Sequence, residues 1–111
     1  MSNPSLPSLL EKYFTAAGEN DWDTLADCFT DTGVVIDDGQ AFIGRAEIRR
    51  WRQEASSKWT YTSENTEAEQ VGATGYHVVT HLEGNFPGGT ADLHHQFTLG
   101  DGLISSLTIA P

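Results

Sequence analysis

The chain is poor in cysteine, in basic residues and in long apolar runs. One cysteine, Cys28, stands alone among 111 residues. It excludes an internal disulfide and a cysteine-built zinc site, and it suits a reducing, cytoplasmic setting. Six Lys and Arg face sixteen Asp and Glu, a net charge of −10. Such a surface argues against nucleic acid or an anionic membrane as partner, and favours a neutral or cationic ligand. No run is long enough to span a bilayer, and the polar, proline-bearing lead-in Met1–Pro7 has no apolar signal region.

What is present is an ordinary globular balance. Hydrophobic residues make up 38% and aromatics 10%, enough for one folded domain over residues 1–111 with a real core. Four of the six basic residues, Arg45, Arg49, Arg50 and Arg52, crowd one short window. They read as the solvated face of a helix pairing with nearby acids, with an acidic ligand or partner as the alternative.

Leu6, Leu9, Leu10, Tyr13, Phe14 and Ala17 follow the period of an amphipathic helix, closed by Gly18. Asn20 or Asp21 caps a second, short helix, with Trp22, Leu25, Ala26 and Phe29 as its inner stripe and Asp31-Thr32-Gly33 as its end. Two apolar runs then flank Asp37-Asp38-Gly39, a hairpin signal, because Asp-Gly supplies the positive φ that a tight turn needs. In a strand, Asp37 shares a face with Val35. A carboxylate on a buried face is costly unless paired or used. Asp38 reads as turn chemistry. Gly44-Arg45 opens a third helix with Ile48, Trp51, Ala55 and Trp59 inward.

Beyond Thr60 the period changes to two. Strands are expected at Thr60–Val71, which is polar and Thr-rich, then Tyr76–Leu82, Leu93–Leu99 and Leu103–Ile109. Tyr76, Val78, Thr80 and Leu82 share one face, and His77, Val79 and His81 the other. Leu93, His95, Phe97 and Leu99 share a face that excludes His94. Helices first and antiparallel strands after indicate an α+β fold, a curved antiparallel sheet packed on three helices around an apolar pocket.

This order resembles the nuclear transport factor 2-like superfamily, and within it the SnoaL-like and ketosteroid-isomerase-like branches. The carrying residues are Leu9-Leu10-Glu11-Lys12-Tyr13-Phe14, Asp21-Trp22-Asp23-Thr24-Leu25, Phe29-Thr30-Asp31, Val34-Val35-Ile36-Asp37, Gly44-Arg45-Ala46-Glu47-Ile48 and Phe97-Thr98-Leu99-Gly100-Asp101-Gly102-Leu103-Ile104. The resemblance implies a cone-shaped α+β barrel with a deep apolar cavity, commonly a homodimer through its sheet. It implies cofactor-free acid–base chemistry on a small hydrophobic carbonyl compound, as in an isomerase, cyclase or lyase. A non-catalytic ligand-binding or dimerisation module is the alternative. By the same resemblance Asp37 matches the proton-shuttling base and Tyr13 the oxyanion donor. Where ketosteroid isomerases carry a protonated Asp, this chain has His95 or, by a shift of one, His94; His95 is preferred because it shares the face of Leu93, Phe97 and Leu99. Trp22, Trp51, Val78, Thr80 and Phe97 are expected to contact the ligand. His77, His81 and His94 lack a carboxylate or Cys spaced to complete a metal site, so no metal is expected. Cys28 has no assigned His partner to make it a nucleophile.

Overall fold

A computed structural model describes residues 6–111. The elements run α1 (Ser8–Gly18), α2 (Trp22–Asp27), β1 (Phe29–Asp37), β2 (Gln40–Ile43), α3 (Arg45–Lys58), β3 (Tyr61–Val71), β4 (Gly75–Gly84), β5 (Thr90–Gly100) and β6 (Leu103–Ala110). The fold is mixed α+β, with a curved six-stranded sheet in the order β2-β1-β6-β5-β4-β3. Among the described residues no helix is long and apolar enough to cross a membrane. Most of the Met1–Pro7 lead-in lies outside the described residues.

The expected antiparallel pairing holds except at one seam. β1 and β6 run parallel, with Val35 opposite Leu107 and Asp37 opposite Ile109. The reason is the α3 crossover: β1 belongs to the first hairpin, whereas β3 to β6 form a separate meander whose last strand returns beside it. The sheet is also open, with β2 and β3 as its edges, and not a closed barrel.

Two other expectations need correction. Leu6 precedes α1, which starts at Ser8 after Pro7. Phe29 opens β1 instead of closing the stripe of α2. The spacing of Trp22, Leu25, Ala26 and Phe29 fits a helix, but α2 ends at Asp27, and Ile104 pairs with Phe29 across the sheet.

Local chemistry sets the helix starts. Asp21 caps α2 by accepting from the Thr24 N–H at 3.2 Å. Gly44, at φ +87, begins α3, and the Glu47 carboxylate accepts from the Ile43 N–H at 3.0 Å. Arg45 and Arg49 pair with Asp31 and Asp23, tying α3 to β1 and α2.

Among the described residues the sheet has three register shifts: one falls in β1 between Phe29 and Val34, and two lie in the β3–β6 meander and bend it around the helices. One of these two lies between Asn65 and Glu67, so Asn65 faces Thr80 and Ala68 faces Val78 across β3 and β4. The other lies between Leu99 and Thr98 against β6, where Ile104 and Ser106 are their partners. Each shifts the inward face by one residue. Leu10, Tyr13 and Ala16 of α1 then pack on Val78, Phe97, Leu107 and Ile109 of the sheet's inner face, closing the core.

Candidate functional site

Between the helical layer and the inner face of β3 to β6 lies a cavity of about 1010 Å³. That is ample for an organic ligand of several rings. Its wall is mixed, not purely apolar: Leu82, Phe86, Leu93 and Ile109 stand beside Arg52, Tyr61 and Asn65.

The Asp-Gly hairpin positions Asp37. Asp37 pairs with Gln40, leaving Asp38 and Gly39 as a two-residue turn at φ +52 and +80. Val35 is fully buried, and Asp37, on the same face, reaches the cavity half-buried. There the Trp51 indole Nε1–H donates to Asp37 Oδ2 at 2.9 Å. Trp51 packs against Phe42 with ring centroids 5.9 Å apart, so the donor that orients the carboxylate is itself held.

Tyr13 comes from the buried stripe of α1. Its ring is wedged edge-on among Phe14, Phe29 and Phe97 at 5.1, 6.0 and 5.5 Å. Burial pushes its phenol up to about 12, against a lowering pull from the Arg52 guanidinium. At neutral pH Tyr13 is therefore a hydrogen-bond donor, not a phenolate.

His95 lines the cavity and is only 6% exposed. Its neighbour His94 points to the outer face, where its Nδ1 lies 2.8 Å from His77 Nε2 and the two rings stack. Burial, helped by the Arg52 charge, pushes His95 down to about 4. It is thus a neutral imidazole at pH 7. The Thr80 hydroxyl donates to Asn65 Oδ1 at 2.8 Å and lies 3.3 Å from His95 Nδ1. With its one proton spent on Asn65, the Thr80 oxygen is free to accept from a His95 Nδ1–H.

The expected residues are therefore brought together in part. Tyr13, Asp37, Trp51, Thr80 and His95 all line the cavity. Trp22, Val78 and Phe97 do not. Val78 and Phe97 face inward as their alternation requires, but Tyr13 and Phe14 of α1 cover that stretch of the sheet, so they are core. Trp22 stands behind the wall, with the Arg52 guanidinium 5.7 Å from its ring centre.

Arg52 is the residue that the sequence reading assigned elsewhere. It lies in the cavity wall and not on the solvated face with Arg45 and Arg49. Its Nη2 donates to the Tyr61 hydroxyl at 3.1 Å, the Tyr13 phenol lies beside it, and the Trp51 ring is 5.9 Å away. The neighbouring phenols favour its charged form, against the cost of burial. The signal was available: Arg52 is four residues after Ile48 and three before Ala55, on the inward stripe of α3.

Among the described residues no three His, Cys, Asp or Glu gather in a metal-binding group. Cys28 is buried at the end of α2, and burial pushes its thiol up, away from thiolate chemistry.

The model of the SnoaL-like domain family matches residues 10–107. A candidate polyketide cyclase from Sinorhizobium meliloti is similar in structure, with 33% identity, a TM-score of 0.89 and 95% of each chain covered. A protein of ketosteroid isomerase-like fold from Catenulispora acidiphila, solved with trimethylamine, aligns at TM-score 0.84 and 16% identity over 96% of this chain and 87% of that one. An NTF2-like protein from Cytophaga hutchinsonii aligns at TM-score 0.76 and 11% identity over 98% and 93%. These last two share the fold. No curated protein matches the chain significantly in sequence.

Proposed function

The chain belongs to the SnoaL-like domain family, and from that premise we propose that it binds a small hydrophobic carbonyl compound in this cavity and acts on it by acid–base chemistry of its own side chains. The observation that carries the reading is the convergence of Asp37, Tyr13 and His95 on one cavity, with the carboxylate oriented by Trp51.

Asp37 takes a proton from carbon next to the carbonyl, leaving an enolate. The electron pair moves onto the carbonyl oxygen, and the Tyr13 hydroxyl, kept protonated by burial, donates to it. Neutral His95, beside Thr80 on the same wall, faces the ligand as a hydrogen-bonding imidazole, and its low affinity for protons leaves the shuttling to Asp37. Asp37 then gives its proton back at another carbon, which is isomerisation, or the enolate carbon adds to a second carbonyl of the same molecule and the proton returns from Asp37 to the alkoxide so formed, which is aldol cyclisation. The likeness to a candidate polyketide cyclase favours the second outcome. We further propose a cytoplasmic homodimer through the outer sheet face that carries His77 and His94, to be checked by sedimentation.

The test is exchange of the α-protons of 2-tetralone for deuterium, followed by NMR. Wild type should accelerate exchange. Asp37→Asn should lose at least ~100-fold, the usual scale for a general base, and still bind the ketone. Asp38→Asn, changed only in the turn, should exchange like wild type. Equal exchange by wild type and Asp37→Asn removes Asp37 as the base. Binding without exchange in wild type would identify a non-catalytic ligand-binding module.

A further inference from the structure

We propose that Arg52 makes this cavity a receptor for organic carboxylates, with the ligand's anionic group seated on the guanidinium between Tyr13 and Tyr61 and its apolar body against Leu82, Leu93 and Ile109. The proposal names the ligand class of the site described above. It rests on that reading only in taking the cavity as a ligand site, and does not require Asp37 to be a base.

The argument begins with an imbalance of partners. Arg45 and Arg49, two turns and one turn earlier on α3, pair with Asp31 and Asp23. Arg52 forms no ion pair among the described residues. Residues 1–5 contain no carboxylate that could supply one. Of the two acids that line the cavity, Asp37 is engaged by the Trp51 indole, and Glu64 stands exposed on β3 with no ion pair to Arg52. Arg52 is therefore a cation drawn off the surface with phenol oxygens, the faces of two indoles and the neutral His95 around it, and no carboxylate paired with it. A charge withdrawn from water is costly unless it meets a counter-charge, and here the cavity is where a counter-charge can enter.

The geometry suits a carboxylate in particular. A guanidinium offers five N–H donors in a rigid fork that matches two carboxylate oxygens. One donor is used by the Tyr61 hydroxyl. The indole faces of Trp22 and Trp51 hold the group by cation–π contact without consuming its donors. The two tyrosine hydroxyls add donors of their own toward an anion. The net charge of −10 describes the outer surface; it does not describe this wall, and so the expectation of a neutral or cationic ligand does not extend to the cavity.

The probes are 2-naphthoate and its neutral isostere 2-naphthamide, titrated at pH 7 by quenching of tryptophan fluorescence. Wild type should prefer the carboxylate by about 10-fold or more, the scale of a charge-assisted contact. Arg52→Met should abolish that preference while holding 2-naphthamide within about threefold of wild type. Arg52→Lys, which keeps charge and volume but not the fork, should keep only part of it and guards against a misfolded Met variant. Equal affinity for the two probes in wild type, a preference retained in Arg52→Met, or binding of neither probe at millimolar concentration would each overturn the proposal. The two readings fail separately. Asp37→Asn should lose tetralone exchange and keep the naphthoate preference; wild type without the preference but with exchange overturns the carboxylate alone.

Discussion

Acidification should unfold this protein partly through one side chain, His95. Buried on the inner sheet face beside a guanidinium, His95 protonates only near pH 4, against an ordinary value of 6.5 in the unfolded chain. Its contribution is intact above about pH 6.5. As pH falls from there toward 4, the unfolded chain takes up a proton that the folded chain refuses, and stability drops by about 1.4 kcal/mol per pH unit. At pH 4.5 the loss from this residue amounts to about 2–3 kcal/mol, a large part of a small domain's total. Below pH 4 both states bind the proton and the slope from His95 vanishes. The assay is urea denaturation of wild type and His95→Gln at pH 7 and pH 4.5. Glutamine cannot charge, so the fall in stability between the two pH values should be about 2–3 kcal/mol smaller in the variant. Carboxylates also titrate in this window, but they do so in both proteins and cancel in the comparison. An equal fall in the two proteins would refute the reasoning, because it would mean that His95 meets solvent or a counter-charge on protonation.

Two further predictions come from the same packing. Gly84→Ala would place a Cβ 2.4 Å from the Thr60 carbonyl oxygen and 2.5 Å from the Tyr61 Cβ, so it should cost about 1–3 kcal/mol in urea denaturation; unchanged stability would mean that the β3–β4 contact there is loose. In an alkaline absorbance titration, the phenol that ionises at about 12 should be absent from Tyr13→Phe; if the variant retains it, Tyr13 is not the buried donor.

Much of this fold is written in the chain at short range. The stripe of Leu10, Tyr13 and Ala17 needs only the helical period, and Asp38-Gly39 needs only the requirement for positive φ. Alternation alone separates His95 from His94, and the structure puts them on opposite faces. What alternation lacks is depth. Val78 and Phe97 face inward like Thr80 and His95, but which of the four stays open to the cavity depends on where α1 comes to rest. Arg52 shows a different blindness. Its charge argued for solvent and its spacing for the interior, and the spacing was right, because Tyr13, Trp22 and Tyr61, brought in from other elements, join the adjacent Trp51 to give the guanidinium a setting that composition cannot reveal. Nor does a period of two foresee the bulge between Asn65 and Glu67, where the inward residues of β3 change parity midway.

The polar character of β3 has a consequence beyond the cavity. As a long edge of an open sheet it exposes unpaired backbone groups over Tyr61–Val71, the kind of surface on which chains stack into fibrils. Glu64, Glu67 and Glu69 stand exposed along it. Three negative charges in six residues repel a second copy before its backbone can dock, and the bulge between them breaks the straight template that docking needs. The acidity of the chain thus acts as a gatekeeper at its most adhesive border, and it does so only while those carboxylates are ionised.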